Sequence, residues 1–377
     1  MMACTTVLGG ICSLWILYLF SSGLIRNLTG TGKTEATMHK NNCFDVLRHL
    51  AALMVIFSHH HAFMQVHEDL FRGFLSWGGV CVAVFFSISG FLVTQSAQRS
   101  PDYISFMTKR VKRIFPALIV CSFVMIYLLA PFYQQNATAF LFSKDTLENF
   151  LKIIMLLPAN VSDVFAGYKY AGSINGSLWT LTLEFTCYIV VGFLLFVNKT
   201  WKTPAFILAI LVAVNIFASA ETNNITWYSM NLGWLIRFGI CFALGSLLSM
   251  TLEQWNKPRV KWFLSITSVL VLFLLKGQIE ILTLGYFAIT FLTLCIGMSF
   301  KDVIVKGRFD ISYGLYIYAW PVQQVMANKT DLPFYVSIAA SMACTAVLAY
   351  LSWTFIEKPF LRRKKQSLAV TAAEQAA

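Results

Sequence analysis

From residue 43 onward the chain is a succession of long apolar runs broken by short polar segments. The apolar positions do not alternate with polar ones, so half-buried strands and a membrane β-barrel are not predicted. The runs are instead of the length a helix needs to cross a bilayer, about 20 residues. Ten such stretches are predicted as spans: 43–64, 74–97, 114–133, 175–197, 203–219, 231–250, 259–275, 279–299, 310–328 and 334–356. A shorter apolar piece, 146–158, is expected to lie at the interface or to re-enter. The fold class this predicts is an all-α polytopic membrane protein.

Composition agrees. Of 377 residues, 58% are hydrophobic and 12% charged. Soluble domains carry about 45–50% apolar and about 25% charged residues. That excludes a soluble enzyme and a disordered chain. The net charge of +12 would suggest nucleic acid in a soluble protein, but its placement gives another reason. With residue 42 in the cytoplasm and one crossing per span, inner segments hold 21 of the 29 Lys and Arg residues and outer segments 6, while Arg48 and Arg237 lie within spans. Positive residues gather on the cytoplasmic side of membrane proteins. The bilayer therefore accounts for the charge, and no nucleic-acid partner is expected. The predicted location is a bacterial cytoplasmic (inner) membrane, crossed many times.

The N-terminal extension, 1–42, has two readings. Residues 3–25 are long enough for an eleventh span with its N-terminus outside, and they lack the positive start of a signal peptide. Alternatively translation begins at Met38. A partial phosphate-loop string, Gly30-Thr31-Gly32-Lys33-Thr34, has Asn27 where the first glycine is required and no strand before it, so it is set aside. The nine cysteines sit mostly in apolar runs with no Cys-x-x-Cys, and read as small buried hydrophobes, with no metal site expected. Residues 43–361 form the membrane domain, and 362–377 a cytoplasmic tail.

Ionisable groups at bilayer depth are costly and point to function. The first span carries Asp45, Arg48, His49, His59, His60 and His61. Arg48 and His59 are 11 residues apart, which on a helix places them about 20° from one face and about 16 Å apart in height. His60 and His61 fall about 120° and 220° away from Arg48. Asp45, one turn before Arg48, is placed to pair with it. Glu184 lies about 13 Å from the outer end of its span, a depth matching His59, so a His59–Glu184 pair in one cavity is expected. At the inner mouth of the third span, Lys109, Arg110, Lys112 and Arg113 form a basic cluster suited to phosphates. Each of these also has a bland reading as an anchor, a buried neutral acid or a plain positive-inside signal.

Taken in order, these residues resemble the membrane-bound acyltransferase-3 family of O-acyltransferases. The resemblance covers residues 40 to 361. Its elements are Arg48…His59 after Phe44-Asp45-Val46-Leu47; Phe85-Phe86-Ser87-Ile88-Ser89-Gly90-Phe91-Leu92; Arg110…Arg113 before Ile114-Phe115-Pro116; Ser177-Leu178-Trp179-Thr180-Leu181-Thr182-Leu183-Glu184; Ile311-Ser312-Tyr313-Gly314-Leu315-Tyr316-Ile317-Tyr318; and Glu357-Lys358-Pro359. Each is weak alone; together, in this order on ten spans, they are specific.

The resemblance implies transfer of an acyl group, usually acetyl, from acyl-coenzyme A to a carbohydrate hydroxyl, with no permanently bound cofactor. It implies that His59 is catalytic and that Arg110 and Arg113, with Lys109 beside them, handle the donor. Arg48 and Glu184 are expected to support His59. His59 would act as general base on the sugar hydroxyl or carry the acyl group itself. Ser87, Ser89 and backbone near Gly90 are candidates for stabilising the oxyanion. The expected partners are acyl-coenzyme A, a glycan or lipid-linked glycan such as lipopolysaccharide O-antigen, and the bilayer. A reading of a different class is a carrier moving a sugar or lipid-linked glycan without acyl transfer. No inverted repeat supports it: the arginine–histidine stripe occurs once.

Overall fold

A computed structural model describes residues 42–66, 68, 75–161, 163–168, 173–274, 282–305 and 307–362. The 3–25 stretch and Met38 lie outside the described residues, as does most of the predicted tail.

The described chain is mostly helical. Its principal helices are α1 (Phe44–Phe63), α2 (Trp77–Gln98), α3 (Tyr103–Phe123), α4 (Lys144–Ile154), α5 (Trp179–Val197), α6 (Lys202–Phe217), α7 (Leu232–Met250), α8 (Pro258–Leu274), α9 (Leu282–Gly297), α10 (Ser312–Lys329) and α11 (Phe334–Ser352). Each of the ten apolar stretches thus contains a helix. Five helical segments are both long and apolar enough to cross a membrane: Trp77–Gln98, Tyr103–Tyr133, Trp179–Val197, Leu232–Met250 and Phe334–Leu361. The others fall short for visible reasons. Helix α1 carries Asp45, Arg48 and four histidines. Helix α6 has 16 residues, a rise of about 24 Å against a hydrocarbon core of about 30 Å.

The third span starts earlier than its apolar run. Asp102 caps α3 by accepting from the Ser105 amide at 2.7 Å, so the helix begins at Tyr103. The basic cluster 109–113 therefore lies within α3, where Arg110 and Arg113 share a face. Beyond Phe123 the segment widens into π-helical turns over Val124–Leu129. The short apolar piece 146–158 largely coincides with α4, which is an amphipathic helix. A two-residue hairpin, Thr226–Trp227 with Met230–Asn231, precedes α7.

Helices α2 and α7 pack backbone to backbone. A Cβ on Gly90 would lie 2.0 Å from the Phe242 carbonyl oxygen, and one on Gly245 2.3 Å from that of Ser87. Lipid is as apolar as leucine, so helices in a membrane gain by close packing of small residues and by interhelical hydrogen bonds. Thr94 and Ser246 supply such a bond at 2.6 Å, and Ser87 donates to Thr290 of α9 at 2.9 Å.

Gly90→Ala and Gly245→Ala are expected to lower the Tm of the detergent-solubilised protein, each at a cost of about 2 kcal/mol. Gly239→Ala, whose Cβ would meet the flexible end of Leu211 at 3.2 Å, should leave Tm within a degree.

Candidate active site

The site is built where the start of α1, the middle of α3, the start of α10 and the end of α11 meet. Arg48 on α1 donates to Asp45 one turn earlier at 2.6 Å, the pairing expected from their spacing. Its Nη2 also reaches Asp310, immediately before α10, at 3.0 Å. The same Asp310 oxygen accepts from Arg113 of α3 at 2.7 Å, while its other oxygen accepts from the Ser312 hydroxyl at 2.6 Å. Arg113 lies 3.7 Å from Glu357, at the π-helical end of α11. Four helices are thus tied by two arginines and three carboxylates, and Glu357 is only 2% exposed.

The two arginines of the Arg-x-x-Arg differ in consequence. Arg113 is committed to Asp310 and Glu357. Arg110 has no carboxylate within ion-pair distance among the described residues. Its Nη2 donates to Ser96 at 3.1 Å, its guanidinium lies over the rings of Phe106 and Tyr188, and its Nε is buried without a partner. Lys109 donates to Ser100 at 2.8 Å.

Arg48, Lys109, Arg110, Lys112 and Arg113 line a cavity of about 470 Å³, and Phe85, Phe86, Leu92 and Leu181 give it apolar walls. Glu184 also lines it, held by Ser89 at 2.6 Å and by Tyr188, one turn on, at 2.5 Å. Glu184 therefore joins the cavity shared by the basic cluster. No hydrogen bond or ion pair joins it to His59 among the described residues, so the expected His59–Glu184 pair does not form. Equal depth does not give equal facing: α5 turns Glu184 toward α2.

His59, Ser87 and Gly90 are not among the described residues lining the cavity. Ser87 and Gly90 serve the α2–α7–α9 contacts instead. His59 is half-buried, with its ring 5.1 Å from that of Trp320 on α10 and its Nδ1 enclosed without a partner. The neighbouring histidines turn away, as their register requires. His60 is fully buried against Gln323 and Phe334. His61 meets the Phe57 carbonyl at 2.9 Å and packs on Phe334. Arg48 and His59 both look toward α10, through Asp310 at its start and Trp320 three turns up.

Sequence reasoning missed Asp310, Tyr188 and the pairing role of Glu357. Asp310 is 262 residues from Arg48. Its only signal is an acid placed at the inner end of an apolar stretch, where an arginine partner is needed.

Asp310→Asn should cost about 3 kcal/mol, because it leaves two partly buried guanidiniums short of a charged partner. Thermal unfolding in detergent checks this; a Tm equal to wild type would contradict it.

The family described as "Acyltransferase domain" matches residues 41–357. A relative named "O-acetyl transferase" from Shigella phage Sf6 is 40% identical over 337 residues, 88% of this chain and 100% of that protein. "Nodulation protein 10" of Rhizobium leguminosarum bv. viciae is 28% identical over 366 residues, 90% of this chain and 98% of that protein. No solved structure matches. The match spans nearly all of the described residues, including the arginine cluster, the cavity and His59: the chain belongs to the acyltransferase-domain family and is an acyltransferase.

Proposed function

We propose that the protein moves an acetyl group from acetyl-coenzyme A at the inner face to a carbohydrate hydroxyl at the outer face, with His59 as general base. The observation that carries this reading is the cavity: a basic mouth opening into an apolar interior. A donor with a multiply charged nucleotide head and a long, mostly uncharged arm matches that gradient. Arg110, with no carboxylate within ion-pair distance among the described residues, is the guanidinium most available to a phosphate. Arg113 and Arg48 hold the helices around it.

The arm runs outward past Tyr188, Glu184 and Thr180 and brings the thioester toward His59. The sugar hydroxyl attacks the thioester carbon, His59 takes its proton, and the thiolate leaves toward the inner face. The enclosed Nδ1 and partly exposed ring of His59 suit a base that meets its substrate from one side. The acceptor is a bacterial surface polysaccharide, lipopolysaccharide O-antigen being the leading one. The printed name of the phage relative, an O-acetyl transferase, supports ester formation at a hydroxyl.

This reading keeps the ten-span topology in the inner membrane. The uneven charge of inner and outer segments supports it, as does the helix in each predicted stretch. Reporter fusions at Gln135 and Asn256 should report opposite sides; equal readouts would contradict the span count.

His59→Ala should abolish transfer in protein that still inserts and accumulates. His60→Ala and His61→Ala should retain most activity, since His60 packs on Gln323 and Phe334 and His61 on Phe57 and Phe334. Arg110→Ala should raise the donor KM about tenfold, the loss of one charge-assisted contact. Arg113→Ala should instead lower Tm. Steady-state kinetics beside thermal unfolding separates the two arginines, and a KM effect confined to Arg113→Ala would reverse the assignment.

A further inference from the structure

Residues 173–178, just before the cavity-lining Thr180, are stitched to α10 by a file of three hydrogen bonds. Trp320 Nε1 donates to the Ser173 carbonyl at 3.2 Å, Asn175 Nδ2 to the Ile317 carbonyl at 2.7 Å, and Tyr316 Oη to the Ser177 carbonyl at 3.0 Å. The middle bond has its origin in Pro321. A proline has no N–H, so the carbonyl four residues back loses its helical partner, and Ile317 is that residue. Asn175 satisfies it.

At the cavity end of this file two hydroxyls meet. Tyr316 Oη and Thr180 Oγ1 are 2.5 Å apart, and both residues line the cavity. Other hydroxyls there are committed to carboxylates or to backbone: Ser89 and Tyr188 to Glu184, Ser312 to Asp310, Tyr313 to the Ile114 carbonyl. The Tyr316–Thr180 pair differs because it holds two donors and one outside acceptor. Thr180 Oγ1 is itself 3.4 Å from the Ser177 carbonyl oxygen. If Thr180 takes over that carbonyl, the Tyr316 hydroxyl is released to donate elsewhere; the Ser177 carbonyl keeps a donor, and the Thr180–Tyr316 bond is exchanged for one from Tyr316 to the ligand. The Ser177 hydroxyl is also buried there without a partner. One turn beyond Tyr316 on α10, about 6 Å along the axis, Trp320 carries the ring of His59.

We propose that Tyr316, freed by Thr180, donates a hydrogen bond to the carbonyl oxygen of the bound acyl thioester, and so forms the oxyanion site of the reaction. This rests on the acyl-transfer reading above. In the step, the acceptor oxygen bonds to the acyl carbon and its proton goes to His59. The carbonyl electrons move onto the oxygen that Tyr316 holds, then return as the C–S bond breaks. The thiolate leaves and is protonated to the free thiol by the proton His59 took. Tyr316 keeps its own proton throughout. A neutral phenol fits this role, because its bond to a thioester carbonyl is weak and strengthens as negative charge develops on that oxygen in an enclosed site. The site so defined takes a thioester carbonyl as its ligand, and it lies between the basic mouth and the base.

The test is steady-state transfer by purified protein, with donor and acceptor varied separately. Tyr316→Phe keeps the ring and leaves Thr180 to satisfy Ser177; it should lower kcat about 100-fold with the donor KM within about twofold. Thr180→Val should also lower kcat, with the donor KM again unchanged. Ser341→Ala, a buried hydroxyl on α11 outside the cavity, serves as the control and should match wild type. Wild-type kcat in Tyr316→Phe, or a raised donor KM with kcat intact, would overturn the proposal. If Tyr316→Phe does not accumulate, Thr180→Val decides, and wild-type kcat there would overturn it. Absence of transfer by the wild-type protein would instead overturn the functional reading on which this one stands.

Discussion

Asp310 ties α1 and α3 to the start of α10. One carboxylate oxygen accepts from Arg48 of α1 and Arg113 of α3, and the other from Ser312 at the start of its own helix. Removing charged groups from water is expensive, and they are kept buried only with close, hydrogen-bonded partners. Here the two arginines are paired with three carboxylates, Asp45, Asp310 and Glu357, across four helices. The cost of burying each is met by the others, and the helices cannot separate without exposing them to lipid. The cavity is what this arrangement encloses.

The same constraint divides labour within the basic cluster. Charge that is paired inside the protein is not available to a ligand. Arg113 is committed to structure, whereas Arg110, one helical turn away, faces the cavity beside Tyr188 and Phe106, with no carboxylate within ion-pair distance among the described residues. Two arginines that look equivalent in the sequence thus serve different ends. The polar line continues outward through Tyr188, Glu184 and Ser89 to Thr180 and Tyr316, on walls that are otherwise apolar. His59 stands past the end of that line, against Trp320.

Much of this was legible in the sequence, and the rest was not for definite reasons. Periodicity along one helix is local geometry, so the Asp45–Arg48 pair and the differing directions of His59, His60 and His61 were readable from spacing alone. The apolar stretches likewise located the helices. The place of Glu184 along α5 follows from the sequence, but its azimuth depends on how α5 is rotated against its neighbours, and that is set by packing. Its partners are Ser89 and Tyr188 and not His59. Ser87 and Gly90 sit in a conspicuous motif, yet what they answer to is the close approach of α2 and α7, which no single segment reveals. Asp310 was missed because its partners are distant in sequence. An acid before an apolar run announces that a cation must be near, without saying which.

The central claim is that an acyl group enters from coenzyme A on the inner side and leaves on a glycan hydroxyl on the outer side. It is tested most directly by sidedness. Acetyl-labelled acetyl-coenzyme A would be supplied to sealed vesicles of known orientation that contain the protein and the acceptor glycan. The account predicts labelled, ester-linked acetyl on glycan at the outer face, with release of free coenzyme A, only when the donor is given to the inner face. Equal labelling from either face, or labelled glycan without release of coenzyme A, would contradict it.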